Sequence, residues 1–328
     1  MWYQNILETI GHTPMVELNQ LAKHVPCKIL AKLEAFNPGG SVKDRIGAAM
    51  IEAAEKSGHL GPGGVVVEAT SGNTGAGVVL AAKIKGYRSI FTVTEKVSQE
   101  KQDFLTAFGA ELVLCPKDVE PDDPRSYYSV AKDLASQIPK AVYLNQYYND
   151  ANVQAHYFST GPEIWQQTDG QVTHFFATAS TGGTISGTAQ YLKEKNENIQ
   201  VIGVDPYGSS YYKYFHEGIV DPSEVYSYLI EGAGKEYLAG NMHMELLNDY
   251  TRATDKEAMH MTRQLSQEEA IFAGQSSGLA LAGALHWLEQ NANKINSNSL
   301  VVVLLPDSGM KYISKTFNDD WMKSHQLL

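Results

Sequence analysis

The chain has 328 residues, 43% hydrophobic and 19% charged, which excludes a disordered chain or a fibre and leaves room for two packed units. Its net charge of −11 argues against nonspecific binding to nucleic acid, and any anionic substrate would need local positive sites. The two cysteines, Cys27 and Cys115, lie in strand-like stretches with no paired Cys or His spacing, so no metal site is expected and a reducing cytoplasm is.

The opening MWYQNILETIGHTP has neither a basic start nor an apolar core, so no signal peptide is read there. No apolar run approaches the ~20 residues of a membrane span. From there strand-like and helix-like segments alternate. CKILAKLEAF reads as a strand, and a helix begins within FNPGGSVKDRIG and ends near Gly58. Ser41 and Asp44 have the spacing of a capping box for that helix. GVVVEA is a buried strand, NTGAGVVLAAKIKG a helix closed by Gly86, RSIFTV a strand, and SQEKQDFLTAFG a helix with Ser98 as its cap. ELVLC, YYSVAKDLASQI and AVYLNQ continue as strand, helix and extended chain.

The second half keeps the rhythm: helix PEIWQQT, strand HFFATA, helix GTISGTAQYLKEK, strand IQVIGVD. Residues 206–252 are less regular and rich in Tyr and Gly. Thr254 and Glu257 mark a second capping box, SGLALAGALHWLEQ is a helix, and LVVVLLP is a strand stopped by proline. Continuous apolar strands alternating with helices predict α/β architecture: mostly parallel sheets covered on both faces, arranged as two domains with a cleft, where ligands bind beyond the carboxyl ends of the strands.

Four turns at such positions, TSGNTGAG, STGGT, AGQSSG and PDSG, combine glycine with Ser, Thr or Asn. Each alone reads as ordinary helix capping. As a set they suggest backbone that approaches a ligand and N–H groups that bind an anion. Neither the Walker pattern nor G-x-G-x-x-G is present, which disfavours a nucleoside triphosphate or dinucleotide enzyme. Lys43 falls in the first turn of its helix, where the dipole disfavours a cation. Either it is a solvated lysine, or it is placed to spend time neutral as a nucleophile.

NPGGSVKDRIG, TSGNTG, STGGTISG and PDSG, in this order, resemble the pyridoxal-phosphate (PLP) enzymes of fold type II, in the branch that holds cysteine synthase and cystathionine β-synthase. The resemblance runs from NILETIGHTPMVELN to NDDWM. It implies a fold like the tryptophan synthase β-subunit, with PLP in the cleft. Residues 1–42 plus 150–328 would form a large cofactor-binding domain, and 43–149 a small mobile domain closing over substrate.

The resemblance also implies roles. Lys43 would carry the cofactor and act as general base. Asn73 would bond the ring oxygen, Ser180, Thr181, Gly182, Gly183 and Thr184 would cradle the phosphate, and Ser276 would meet the pyridine nitrogen with Ser308 close by. Thr70, Ser71, Gly72, Thr74, Gln146 and Tyr147 would bind substrate, bordered by Gly232 and Gly234. The implied reaction is β-replacement: Lys43 takes the α-proton of an amino acid, the β-substituent leaves, and a thiol adds.

NQYYN, ANVQAHY, VIGVDPYGS and LPDSGMKYISKTFNDDWM resemble bacterial cystathionine β-synthase, which joins L-serine to L-homocysteine. The alternatives are a cysteine synthase using O-acetylserine and sulfide, a phosphoserine-using or lanthionine-forming enzyme, and a PLP-binding regulatory subunit. Lys235, where relatives carry Tyr or Ala, either attracts the carboxylate of the second substrate or is a solvated lysine. A catalytic core without haem and without regulatory domains, acting as a homodimer on small amino-acid and thiol substrates, is expected.

Overall fold

The computed structural model describes residues 2–70, 72–95, 97–117, 119–120 and 122–328. The chain divides into two compact units, residues 1–10 with 37–155, and 11–36 with 156–328. The expected boundaries therefore move. Residues 1–10 join the smaller unit because Leu7, in a short 3-10 turn, packs on that unit's core. Residues 37–42 and 150–155 belong there too.

The first unit is built on four parallel strands in the order β5-β4-β3-β6: β3 (Val65–Ala69), β4 (Arg88–Thr94), β5 (Glu111–Cys115) and β6 (Ala141–Tyr143). β3 is buried along its whole length, as its unbroken apolar run predicts for a strand covered on both faces. Helices α1 (Lys43–Lys56), α2 (Asn73–Lys85), α3 (Gln99–Ala107) and α4 (Tyr127–Gln137) pack around it. Ile46, Met50 and Ile51 of α1 and Val78 and Val79 of α2 meet Val66, Phe91 and Val93 of the sheet in one core.

The second unit carries six strands, in the order β1-β2-β10-β7-β8-β9. These are β1 (Met15–Glu17), β2 (Lys28–Leu33), β7 (His174–Thr178), β8 (Gln200–Pro206), β9 (Asp249–Ala253) and β10 (Leu300–Leu305). All neighbours are parallel except β1, which pairs antiparallel with β2 at one edge. Helices α6 (Thr160–Gln167), α7 (Gly183–Lys195), α8 (Tyr211–Glu217), α9 (Asp255–Glu268), α10 (Gln275–Gln290) and α11 (Asp319–Ser324) complete it, and α5 (Ala151–Phe158) spans the boundary. On β2, Lys32 is fully buried: its ammonium donates to the Thr13 carbonyl, Glu163 and Gln167, so the charge is paired rather than lost.

Candidate active site

Lys43 is the first residue of α1, half-buried, and the helix carries no side-chain cap. The expected Ser41–Asp44 capping box does not form. Ser41 Oγ accepts from the Lys43 N–H at 3.3 Å, and the buried Asp44 carboxylate accepts from the Gly39 N–H instead. The turn 39–40 thus engages the carboxylate of the helix's first turn. The capping box of α9, Thr254 with Glu257, does form.

What fixes Lys43 is a contact between backbones. A methyl group on Gly77 of α2 would stand 2.4 Å from the Lys43 carbonyl oxygen, and one on Gly47 of α1 would stand 2.2 Å from the Gly77 carbonyl carbon. Two facing glycines therefore let α2 press on the first turn of α1. α2 itself opens at Asn73, the position expected to meet the cofactor ring.

Thr70, at the end of β3, accepts the N–H groups of Gly72 and Gly75 on its hydroxyl oxygen, at 3.2 and 3.1 Å. It acts as the cap that α2 lacks and keeps its own proton to donate. Thr74 and Gln146 come together across 72 positions of sequence: the Thr74 hydroxyl donates to Gln146 Oε1 at 2.6 Å, and Gln146 Nε2 donates to the Ala69 carbonyl at 3.0 Å. Asn152, not foreseen from sequence, donates to the Gln146 carbonyl at 2.7 Å. Tyr147 sits beside them, its ring edge-on to Tyr128. Ser71 lies outside the described residues.

Below this cluster, on β3, Glu68 is fully buried. Burial pushes its carboxyl up to about 8, against the lowering pull of the Gln146 and Asn145 backbone N–H groups. Asn145 stands in the left-handed region, φ 53°, so the turn that presents Gln146 is strained and Glu68 lies under it. A carboxyl whose folded pKa is raised keeps its proton when the unfolded chain has lost it. The stability this carboxyl contributes is therefore full below pH ~4.5 and is lost as pH rises through about 8. Asp205, buried and pushed up to about 7, adds to the same slope. Urea unfolding between pH 5 and 8 is expected to show this fall, and Glu68→Gln to remove more than half of it.

In the second unit, β7 leads into the turn Ser180–Thr184 and then α7. Gly182 is left-handed, φ 87°, and a methyl group on it would strike the backbone of Met242 at 2.5 Å. The turn is held from three sides. The Tyr211 hydroxyl donates to the Ser180 carbonyl, the 241–242 backbone backs Gly182, and His156 reaches Thr184. No acidic side chain occupies the first turn of α7 and no side chain caps it, although Gly183 and Thr184 are buried. A buried helix start with no side-chain cap and no acid is suited to an anion, and these residues fit a phosphate.

His156 was not singled out by its sequence. Fully buried, it places Nδ1 2.9 Å from Thr160 Oγ1 and Nε2 3.1 Å from Thr184 Oγ1. For Thr184 to aim its one proton at a phosphate, its oxygen must accept from Nε2–H, and Nδ1 then accepts from Thr160. His156→Ala is expected to weaken PLP binding about tenfold, the worth of one buried hydrogen bond, measured by titrating the cofactor into apoprotein.

α10 starts at Gln275 with Ser276 buried in its first turn, again without a side-chain cap or an acid. Ser308 lies beside it: Ala273 and Ser308 pair as a β-bridge, and the Gly274 N–H donates to the Asp307 carbonyl at 3.0 Å. The structure thus groups Ser276 with Ser308, and the buried Asp307 stands beside them, close against Gly274. Gly232 and Gly234 are both left-handed, and Gly234 donates its N–H to the Ala179 carbonyl at 2.7 Å, one residue before the cradle. Lys235, next to it, is buried, not solvated.

An α/β chain with two mostly parallel sheets, a lysine set at a helix start and two buried helix N-termini without side-chain caps fits a cofactor enzyme. Comparison with known proteins identifies it: residues 6–307 match the family of pyridoxal-phosphate dependent enzymes, and the chain belongs to that family. Cystathionine beta-synthase of Dictyostelium discoideum is 43% identical over 318 residues, and that of Saccharomyces cerevisiae 39% over 331. These cover 97% and 98% of this chain but 62% and 64% of the relatives, so the chain spans about six-tenths of their length. Among solved structures, a hydrogen sulfide-producing enzyme from Fusobacterium nucleatum aligns with TM-score 0.86 at 32% identity, over 95% of this chain and all of that one. Cysteine synthase from Entamoeba histolytica aligns with TM-score 0.87 at 34% identity, over 97% and 91%. The fold is that of these cysteine synthase-like enzymes, and PLP is the family's cofactor.

Proposed function

We propose that the protein catalyses β-replacement on L-serine with L-homocysteine, forming L-cystathionine. The observation that carries the reaction class is Lys43. It opens a helix with no side-chain cap, on a backbone held by two facing glycines. Bound PLP supplies an electron sink that acidifies the α-carbon of an attached amino acid. The residues do the rest. The Lys43 amine takes the proton from Cα and later returns one. Thr70, Thr74 and Gln146, with Ser71, orient the substrate carboxylate, so that the Cα–H bond faces that amine. The 180–184 turn and Thr184 would hold the phosphate, and Ser276 would meet the ring nitrogen.

The substrate pair rests on the cystathionine synthases, which cover nearly the whole chain. A second reading, sulfide or cysteine chemistry, is favoured by the two structural neighbours, whose own chains are almost fully covered. The two differ in product. The PLP-loaded protein is given L-serine with L-homocysteine, and in parallel O-acetylserine with sulfide, and products are read by mass spectrometry. Cystathionine as the faster product supports the first reading, and cysteine formed faster replaces it with the second. The reading also takes the protein as a cytoplasmic lyase working as a homodimer.

A further inference from the structure

We infer that Lys235 is the specificity residue for the thiol partner, selecting nucleophiles that carry a carboxylate; this rests on the β-replacement reading above. The segment 231–235 is tied at both ends to the parts of the fold assigned to the cofactor. The Glu231 N–H donates to Gln275 Oε1 at 3.0 Å, at the start of α10 beside Ser276, and Gly234 is bonded to Ala179 ahead of the phosphate cradle. Lys235 follows directly. Its N–H donates to Ser209 Oγ at 2.9 Å, and its carbonyl accepts from the Ser210 N–H at 2.8 Å and from the Ser209 hydroxyl at 3.2 Å. The Cα is therefore fixed, and the direction of the side chain with it.

The side chain is only 10% exposed, which is rare for lysine, and its ammonium stands over the Tyr237 ring at 4.5 Å. A dehydrated cation needs an anion. Glu236 supplies one at 2.8 Å, but Glu236 is its sequence neighbour and its own side chain is 58% exposed. That carboxylate can move out into water when another anion takes over the cation, since an unpaired buried charge would be costly. An incoming carboxylate then takes its place on a cation that stays buried and stays paired. On a chain of net charge −11 this local cation also offsets the repulsion an anionic nucleophile meets. The exchange selects homocysteine over uncharged thiols without adding a step to the chemistry.

The test compares Lys235→Met and Lys235→Arg with the unaltered enzyme, loaded with PLP and saturated with L-serine. The nucleophiles are L-homocysteine, 3-mercaptopropionate (a carboxylate without an amine) and 2-mercaptoethanol (neither). Lys235→Met is expected to lower kcat/KM about thirtyfold for both carboxylate-bearing thiols, through KM. It should leave 2-mercaptoethanol within twofold, and Lys235→Arg should recover much of the loss. Equal losses for all three thiols would show a structural role and overturn the inference, as would an unchanged preference for homocysteine. An unaltered enzyme that uses 2-mercaptoethanol or sulfide but no carboxylate-bearing thiol would overturn both this assignment and the substrate reading. One that prefers homocysteine while Lys235→Met keeps that preference overturns this assignment alone.

Discussion

Replacing Lys43 with alanine is expected to reduce turnover by at least about 10³-fold while leaving the fold intact or slightly firmer. The loss follows from the role of the amine: no other group in the described first turn of α1 can both anchor the cofactor and shuttle the α-proton, since Asp44 is bound to Gly39 and is acidic. Proton transfer by a placed base alone is worth about 10² to 10⁴. The gain in firmness has a separate cause. A cation at a helix N-terminus is unfavourable by about 0.3–1 kcal/mol, and alanine is the best helix former. Steady-state rates and urea unfolding of the apoprotein, run together, check both halves. A Lys43→Ala protein that unfolds early would mean the lysine serves structure. One that keeps its rate would remove it from the mechanism.

Gly77→Ala is expected to cost about 3 kcal/mol in stability and to impair cofactor uptake, although Gly77 lies in a helix interior where alanine ordinarily gains ~1 kcal/mol. The added methyl group would meet the Lys43 carbonyl at 2.4 Å and the Asp44 Cα at 2.9 Å. Both are backbone atoms, so relief requires the start of α1 to move, and Lys43 moves with it. Gly47→Ala presses on the same contact from the other side and should act in the same direction. Urea unfolding and PLP titration of the two variants measure the effects. Stabilisation in either would show that the helices separate freely and that Lys43 is held by something else.

The sequence patterns reached some features and not others, for physical reasons. β3, β7, β8 and β10 were legible because strands buried on both faces are continuous apolar runs, and the α9 box because its spacing is local. The Ser41–Asp44 box had the right spacing and failed, because a competing donor, the Gly39 N–H, is brought close by the turn and takes the carboxylate. β1 is three residues at a sheet edge, and α8 lies in the Tyr-rich stretch whose aromatic residues hide a helical period. Tyr211 in that stretch braces Ser180, which gives those tyrosines a purpose that composition did not. His156 carries no motif, since its role depends on Thr160 and Thr184 coming to either side of it in space. The grouping of Thr74 with Gln146, by contrast, came from resemblance to a family rather than from spacing, and the structure brings the two within hydrogen-bond distance.

The placement of the cofactor on Lys43 is the claim on which the rest depends. Reduction of the PLP-loaded protein with borohydride, followed by proteolysis and peptide mass spectrometry, tests it directly. The account predicts one pyridoxyl-phosphate mass, on the peptide bearing Lys43. The same mass on a peptide bearing any other lysine, or on none while the protein still turns over substrate, would contradict it.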